Sequence, residues 1–141
     1  MSIPVAALLA FAIWTITLLA FTIGIMRWSM IFSGKAELKS FPGDEAHGSP
    51  FYRRATRAHA NCIENLPVFG AIVFAAETIG AHSPTLDGLA VAVIAARIGQ
   101  TTAHLSSGSN AAIGIRFSFL MVQLGAFFWM AALIAEHALG I

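Results

Sequence analysis

The sequence predicts an all-α integral membrane protein whose four helices cross the bilayer as an up-and-down bundle. Hydrophobic residues make up 57% of the 141 residues and charged residues only 11%, whereas soluble domains carry roughly 25% charged residues. The mean hydropathy is +0.77. The apolar residues fall into four blocks, each close to the length of about 20 residues that crosses a hydrocarbon core. These blocks nearly exhaust the chain, so we expect one domain over residues 1–141.

The four apolar blocks set the bounds of the predicted helices. The helices are expected at about 3–26, 51–79, 86–105 and 113–139. Pro4 suits a first helical turn, because its missing N–H would have no helical partner there. A signal peptide is the alternative for the first block, but no basic region precedes the block, and Arg27-Trp28 is typical of an interfacial end rather than a cleavage site. We therefore expect this helix to be retained.

Residues 27–50 are predicted to form a loop on the cytoplasmic side. The stretch SGKAELKSFPGDEAHGSP contains three glycines, two prolines and five charged residues, a composition typical of a loop in water or among lipid headgroups. A shorter polar turn, 106–112, joins the last two helices.

The basic residues predict the orientation of the bundle. Lysine and arginine accumulate at the cytoplasmic ends of membrane helices. In an up-and-down bundle, all eight basic residues fall on one half, namely Arg27, Lys35, Lys39, Arg53, Arg54, Arg57, Arg97 and Arg116. We therefore expect this half to face the cytoplasm and both termini to lie outside. If the source is a bacterium, the membrane is the inner or plasma membrane.

Composition also excludes some classes of function. The net charge of +1 argues against a nucleic-acid partner, because topology already explains where the basic residues lie. The single cysteine, Cys62, cannot form an internal disulfide, and we interpret it as a packing residue rather than a catalytic thiol. We expect no metal site.

A polar stripe interrupts the second apolar block. Arg57, Asn61 and Glu64 are spaced i, i+4 and i+7, so they share one face of a helix. Charged side chains at membrane depth cost roughly 2.5–3.5 kcal/mol each on insertion scales, and they usually face a bundle interior or a watery cavity. The alternative is a purely structural role, in which Arg57 and Glu64 form an ion pair that holds helices together and Asn61 is a hydrogen-bond partner.

A second stripe lies on the third helix, where Arg97, Gln100 and His104 are spaced i, i+3 and i+7. Arg54 precedes the first stripe and Arg116 opens the fourth helix. If these faces converge, they offer guanidinium groups to carboxylates, one carboxylate to an ammonium and amides to a peptide backbone. The excess of arginine over carboxylate favours an anionic, peptide-like ligand over a purely structural network.

The segment RATRAHANCIE, with its core R-x-x-x-N-x-x-E at Arg57, Asn61 and Glu64, opens the second of four helices. In this setting the chain resembles the membrane-associated proteins in eicosanoid and glutathione metabolism, the MAPEG family, and in particular its bacterial-type members similar to microsomal glutathione transferases. The four-helix plan, the basic loop and Arg97 extend the resemblance over essentially the whole chain.

The resemblance implies a homotrimer in which glutathione binds between neighbouring subunits near the cytoplasmic side. Glu64 would meet the α-amino group of glutathione, and Arg116 matches an arginine that stabilises the thiolate. The residues expected to bind glutathione are Arg27, Arg54, Arg57, Asn61, Glu64, Arg97, Gln100 and His104. Where well-studied members carry tyrosines on the third helix, this chain has Gln100 and His104, and its only tyrosine is Tyr52.

The function implied is that of a glutathione transferase or peroxidase. A guanidinium near a thiol favours the thiolate, which could attack a lipophilic electrophile or a hydroperoxide that arrives through the lipid. The alternatives are a non-catalytic, lipid-binding or scaffolding member of the same fold and a small transporter or channel subunit, although the apolar external halves of the helices argue against a polar path.

Overall fold

The computed structural model describes residues 1–37, 40–41 and 48–141. Within these ranges the chain is helical and contains no β-strand. Four helices follow one another, namely α1 (Ile3–Phe32), α2 (Pro50–Ile79), α3 (Pro84–Ser106) and α4 (Asn110–Leu139). The predicted all-α class is confirmed.

Helix α1 is longer than the sequence analysis predicts. It is α-helical over Ile3–Leu18, π-helical over Leu19–Gly24 and α-helical again over Ile25–Phe32. Arg27 lies inside this last stretch rather than at the end of the helix, and its Nε donates a hydrogen bond of 2.6 Å to the hydroxyl of Tyr52. The predicted loop therefore begins at Ser33, and its residues 38–39 and 42–47, which include Lys39, lie outside the described residues.

Serine side chains determine where the helices begin. Each N-cap hydroxyl accepts a hydrogen bond from a backbone N–H of the first turn, which would otherwise have no partner. The caps are Ser2, Ser49, Ser83 and Ser109. α2, α3 and α4 consequently begin one to three residues before the positions predicted from hydrophobicity. α2 and α4 are followed by the capping residues Gly80 and Gly140, whose φ angles of 69° and 70° suit glycine.

Helix α3 lies at the centre of the bundle and contacts the other three helices, α4 most extensively. The apolar part of the core contains three aromatic rings in series. The ring centroids of Phe11 and Phe69 are 6.1 Å apart, and those of Phe69 and Phe127 are 5.9 Å apart. These contacts join α1, α2 and α4 around the apolar half of α3.

By length and composition, α1, α2 and α4 are able to cross a membrane. Large apolar side chains cover their outer faces, and Phe21, Phe74 and Phe128 are each at least 70% exposed, as expected of surfaces that meet lipid tails. The prediction of a membrane protein is thus confirmed. α3 is less apolar because its buried face carries the second polar stripe.

Helices α3 and α4 approach each other closely at Gly99. A Cβ atom added to this residue would lie 2.5 Å from Cζ of the Phe119 ring. We expect Gly99→Ala to lower the free energy of unfolding in detergent by about 1–3 kcal/mol, because overpacking forces the ring or the helix to shift. Gly88→Ala on the same helix is the control, since a Cβ there meets nothing within 4 Å. Equal stability of the two variants would contradict this account of the α3–α4 contact.

Candidate functional site

Three of the predicted site residues meet where α2, α3 and α4 come together. Nη1 of Arg116 donates to Nδ1 of His104 over 3.0 Å, and the side-chain amide of Asn61 lies 3.0 Å from Nε2 of the same ring. His104 therefore joins the first polar stripe on α2 to the start of α4. The two polar stripes, whose convergence the sequence analysis states only as a condition, meet at Asn61 and His104.

The chemistry of the partners determines the tautomer of His104. A guanidinium can only donate, so Nδ1 of His104 must accept, and in a neutral imidazole the proton is then on Nε2. Nε2–H needs an acceptor, which only the oxygen of the Asn61 side chain can provide at that position. The structure places Nδ2 of Asn61 at this position, so this tautomer requires the oxygen and nitrogen of the Asn61 amide to be exchanged by a half-turn of the amide group.

Gln100 connects the second stripe to α4. Its Oε1 accepts hydrogen bonds from Nη1 of Arg97 at 2.8 Å and from Nε2 of Gln123 at 3.1 Å, while its own Nε2 donates to the backbone oxygen of Arg116 at 3.1 Å. The bonds of Gln100 to Gln123 and to the backbone of Arg116 join α3 to α4. Gln100 thus holds the backbone of the residue whose guanidinium binds His104.

Arg97 lies inside the bundle of a single protomer. Its side chain is 1% exposed, and its guanidinium carbon lies 5.2 Å from the ring centroid of Phe11 on α1. Nε and Nη2 have no hydrogen-bond partner among the described residues. A buried donor without a partner costs about 1–3 kcal/mol, more when it is charged, so Arg97 is kept at the expense of stability.

Gln123 is a buried polar residue that the sequence analysis did not single out. Its exposed fraction is 0%. A signal was present in the sequence, because Gln123 follows Arg116 by seven residues and therefore shares its helix face. The sequence analysis did not use this spacing, because the residues next to Gln123 in the sequence are apolar. Thr101 was also missed, and its hydroxyl accepts from Nε1 of Trp14 and lies 4.0 Å from Sγ of Cys62.

Arg57 and Glu64 are exposed residues of α2. Within the described part of the chain, neither forms a hydrogen bond or an ion pair. The structural ion pair that the sequence analysis leaves open is therefore not formed in the described protomer, and both side chains are available to a ligand or to another subunit.

Arg27 and Arg54 lie at the border of the cluster. Arg27 is held by Tyr52, and its guanidinium carbon lies 5.3 Å from the ring centroid of Phe41. Nη2 of Arg54 donates over 3.4 Å to the backbone oxygen of Leu105 in the last turn of α3, an end of the helix that attracts positive charge. Both arginines are half-exposed.

The fold and the cluster define a helical membrane protein with an arginine-rich polar site at one end of its bundle. The family model of the MAPEG family matches residues 4–135, nearly the whole chain. The protein belongs to the MAPEG family, so the resemblance drawn from the sequence motif is confirmed at the level of the family. A search of curated proteins found no match.

The burial of Arg97 makes a prediction about stability. We expect Arg97→Met to change the free energy of unfolding in detergent by no more than about 1 kcal/mol, or to raise it, because methionine removes a buried charge that has no carboxylate partner among the described residues. Gln100 would still accept from Gln123 in this variant. A loss of about 3 kcal/mol or more would show that Arg97 is a structural residue.

Proposed function

We propose that the protein is a membrane-embedded, glutathione-dependent transferase or peroxidase of the bacterial, microsomal glutathione transferase-like type. Membership of the MAPEG family supports a role in glutathione-related chemistry or lipid metabolism. The observation that carries the proposal is an excess of guanidinium groups. Arg57, Arg97 and Arg116 form no ion pair with a carboxylate in the described parts of the chain. Glutathione, with two carboxylates and one ammonium, has the complementary charges.

The exposure of the side chains suggests which residues bind the ligand and which support those residues. Arg57 and Glu64 are exposed, and Arg27, Arg54 and Asn61 are half-exposed, so these five offer polar groups to glutathione. Arg57 binds a carboxylate of the ligand, and Glu64 binds its α-ammonium. Arg97, Gln100 and His104 are buried, and in this proposal they support the ligand-binding groups from behind.

Arg116 is the catalytic residue in this proposal. A free thiol has a pKa of about 8.5, so the thiol of glutathione is mostly protonated in neutral solution. One guanidinium nitrogen of Arg116 is bonded to His104, and the remaining donors can stabilise the thiolate. The thiolate displaces a leaving group from, or adds to, a lipophilic electrophile. With a hydroperoxide it takes one oxygen and releases the alcohol, and a second glutathione then yields the disulfide and water.

A single protomer does not enclose the proposed ligand. Arg57 and Glu64 lie on an outer face of a helix that is able to cross the membrane, where an unpaired charge is costly. We propose that a homotrimer covers this face and that glutathione binds between subunits. The lipophilic substrate then enters from the surrounding lipid.

The orientation follows from the basic residues. We propose that all four helices cross the membrane, with the site on the cytoplasmic side and both termini outside. In intact cells, a membrane-impermeant maleimide should label Ile141→Cys, whereas it should label Ser107→Cys only after permeabilisation. Cys62 is buried and provides a low background. Labelling of Ser107→Cys in intact cells, with Ile141→Cys protected, would contradict this orientation.

A second candidate is a non-catalytic member that binds lipid or acts as a scaffold. The observation that favours it is that Gln100 and His104 stand where other members carry tyrosines, and both are bonded to groups of the protein itself. Neither offers a free hydroxyl to a thiol.

The experiment that separates the two candidates is the binding of glutathione to the detergent-purified protein. We expect the ultraviolet absorbance of a thiolate to appear with glutathione and not with S-methylglutathione, although both bind. Binding without the thiolate signal would remove the catalytic role of Arg116, and the absence of binding would favour the non-catalytic candidate.

Single substitutions test the roles of the site residues. Arg57→Ala and Glu64→Ala should each weaken the binding of S-methylglutathione by about 10- to 100-fold, the effect of losing a hydrogen bond to a charged group. Arg116→Ala should mainly reduce the thiolate absorbance.

Arg53→Ala is the matched control, because Arg53 is an exposed arginine in the first turns of the same helix but does not belong to the motif. Equal losses of binding and of thiolate in the three site variants would contradict the proposed division of roles.

A further inference from the structure

Gln123 has no place in the proposed ligand site, yet it is completely buried in an otherwise apolar part of α4. Burying an amide is costly unless its groups are hydrogen-bonded. Both hydrogens of its Nε2 are used, one toward Oε1 of Gln100 at 3.1 Å and one toward the backbone oxygen of Phe119 at 3.0 Å. Oε1 of Gln123 has no hydrogen-bond partner among the described residues, so the buried amide is satisfied only at its nitrogen. The first of the two bonds joins α4 to α3.

The partner of Gln123 reaches back to the start of α4. Gln100 uses its own Nε2 to donate to the backbone oxygen of Arg116 at 3.1 Å. Arg116 and Gln123 lie seven residues apart, or about two helical turns. One side chain of α3 therefore holds α4 at two points on the same face, and we call the pair Gln100 and Gln123 the amide latch.

Packing beside the latch leaves little freedom for α4 to slide. Gly99 precedes Gln100, and the Phe119 ring fills the space where a side chain of residue 99 would be. The close approach sets the distance between the two helices, while the directional bonds of the amide latch set their register.

From these contacts we infer that Gln123 is a positioning residue, which acts through Gln100 to hold Arg116 in the place where its guanidinium meets His104. The inference rests on the proposed function, because the group that is positioned is the proposed partner of the thiolate. His104 follows Gln100 by four residues on the same face of α3, so a shift of α4 changes the contact between Arg116 and His104 directly.

The amide latch separates the activation of the thiol from the binding of the ligand. Arg57, Asn61 and Glu64 lie on α2, and neither amide of the latch bonds to that helix. Loss of the bond from Gln123 leaves Oε1 of Gln100 to Arg97 alone, and the side chain of Gln100 can then turn away from the backbone of Arg116. The guanidinium loses its fixed position, while the groups that bind the carboxylates and the ammonium remain in place.

The test uses Gln123→Met, which keeps the length of the side chain and removes its donors. Met130→Leu is the matched control, because Met130 is also fully buried on α4 and the change conserves volume. Three quantities are measured in the full-length protein. They are the pH profile of the thiolate absorbance with glutathione, the affinity for S-methylglutathione, and, without ligand, the ¹⁵N chemical shift of His104 Nδ1, assigned with His104→Asn.

We expect Gln123→Met to reduce the thiolate at a fixed pH about tenfold, which is a shift of about one pKa unit in the profile. The affinity for S-methylglutathione should stay within about twofold of the unaltered protein, and the Nδ1 signal should move toward that of an imidazole without a donor. Met130→Leu should change neither the profile nor the signal.

An unchanged Nδ1 signal in Gln123→Met would overturn the inference, and so would a moved signal with an unchanged thiolate profile. Failure of the proposed function looks different. If the unaltered protein forms no thiolate while Gln123→Met still moves the Nδ1 signal, the amide latch positions Arg116 as inferred and the role of Arg116 in thiol activation is wrong. If the unaltered protein forms no thiolate and Gln123→Met leaves the Nδ1 signal unchanged, both proposals fail.

Discussion

The need to satisfy polar groups inside an apolar bundle is the constraint on which the rest of this structure depends. Arg97 and Gln100 lie on the central helix α3, where water cannot reach them. In such surroundings a hydrogen bond is stronger than in water and an unpaired group is costlier. For Gln100, the bundle meets this constraint by bringing Gln123 and the backbone of Arg116 to its side chain, and these bonds join α4 to α3. For Arg97 it is met only in part, because Nε and Nη2 have no partner among the described residues.

The same network divides the polar residues into two layers. The inner layer consists of Arg97, Gln100 and Gln123, which are buried and joined by hydrogen bonds through Oε1 of Gln100. The outer layer contains Arg57 and Glu64, which are exposed and form no hydrogen bond or ion pair with the residues that the structure describes. His104 and Asn61 connect the layers. The position of Asn61 on α2 is thereby linked to the packing of α3 against α4.

The buried charge of Arg97 is expected to affect stability and ligand binding in opposite directions. The two unpaired nitrogens of Arg97 lower stability, whereas the positive charge beside the site suits an anionic ligand. Close packing at Gly99 and the aromatic contacts among Phe11, Phe69 and Phe127 contribute the opposing stability. Membrane proteins that retain a charge in the bundle interior commonly do so for a functional reason.

Local properties of the chain were sufficient to predict the helical membrane class, the family and the approximate bounds of the helices. Hydrophobic blocks and the spacing of Arg57, Asn61 and Glu64 are local patterns, and they can be read directly from residue order. The end of α1 and the role of Gln123 were decided only by the tertiary structure. Arg27 lies within α1, where its side chain binds Tyr52 of another helix, and Gln123 is hydrogen-bonded to another helix because Gln100 lies opposite. Both depend on partners far apart in the chain, since a buried polar group is defined by what surrounds it and not by its neighbours in sequence.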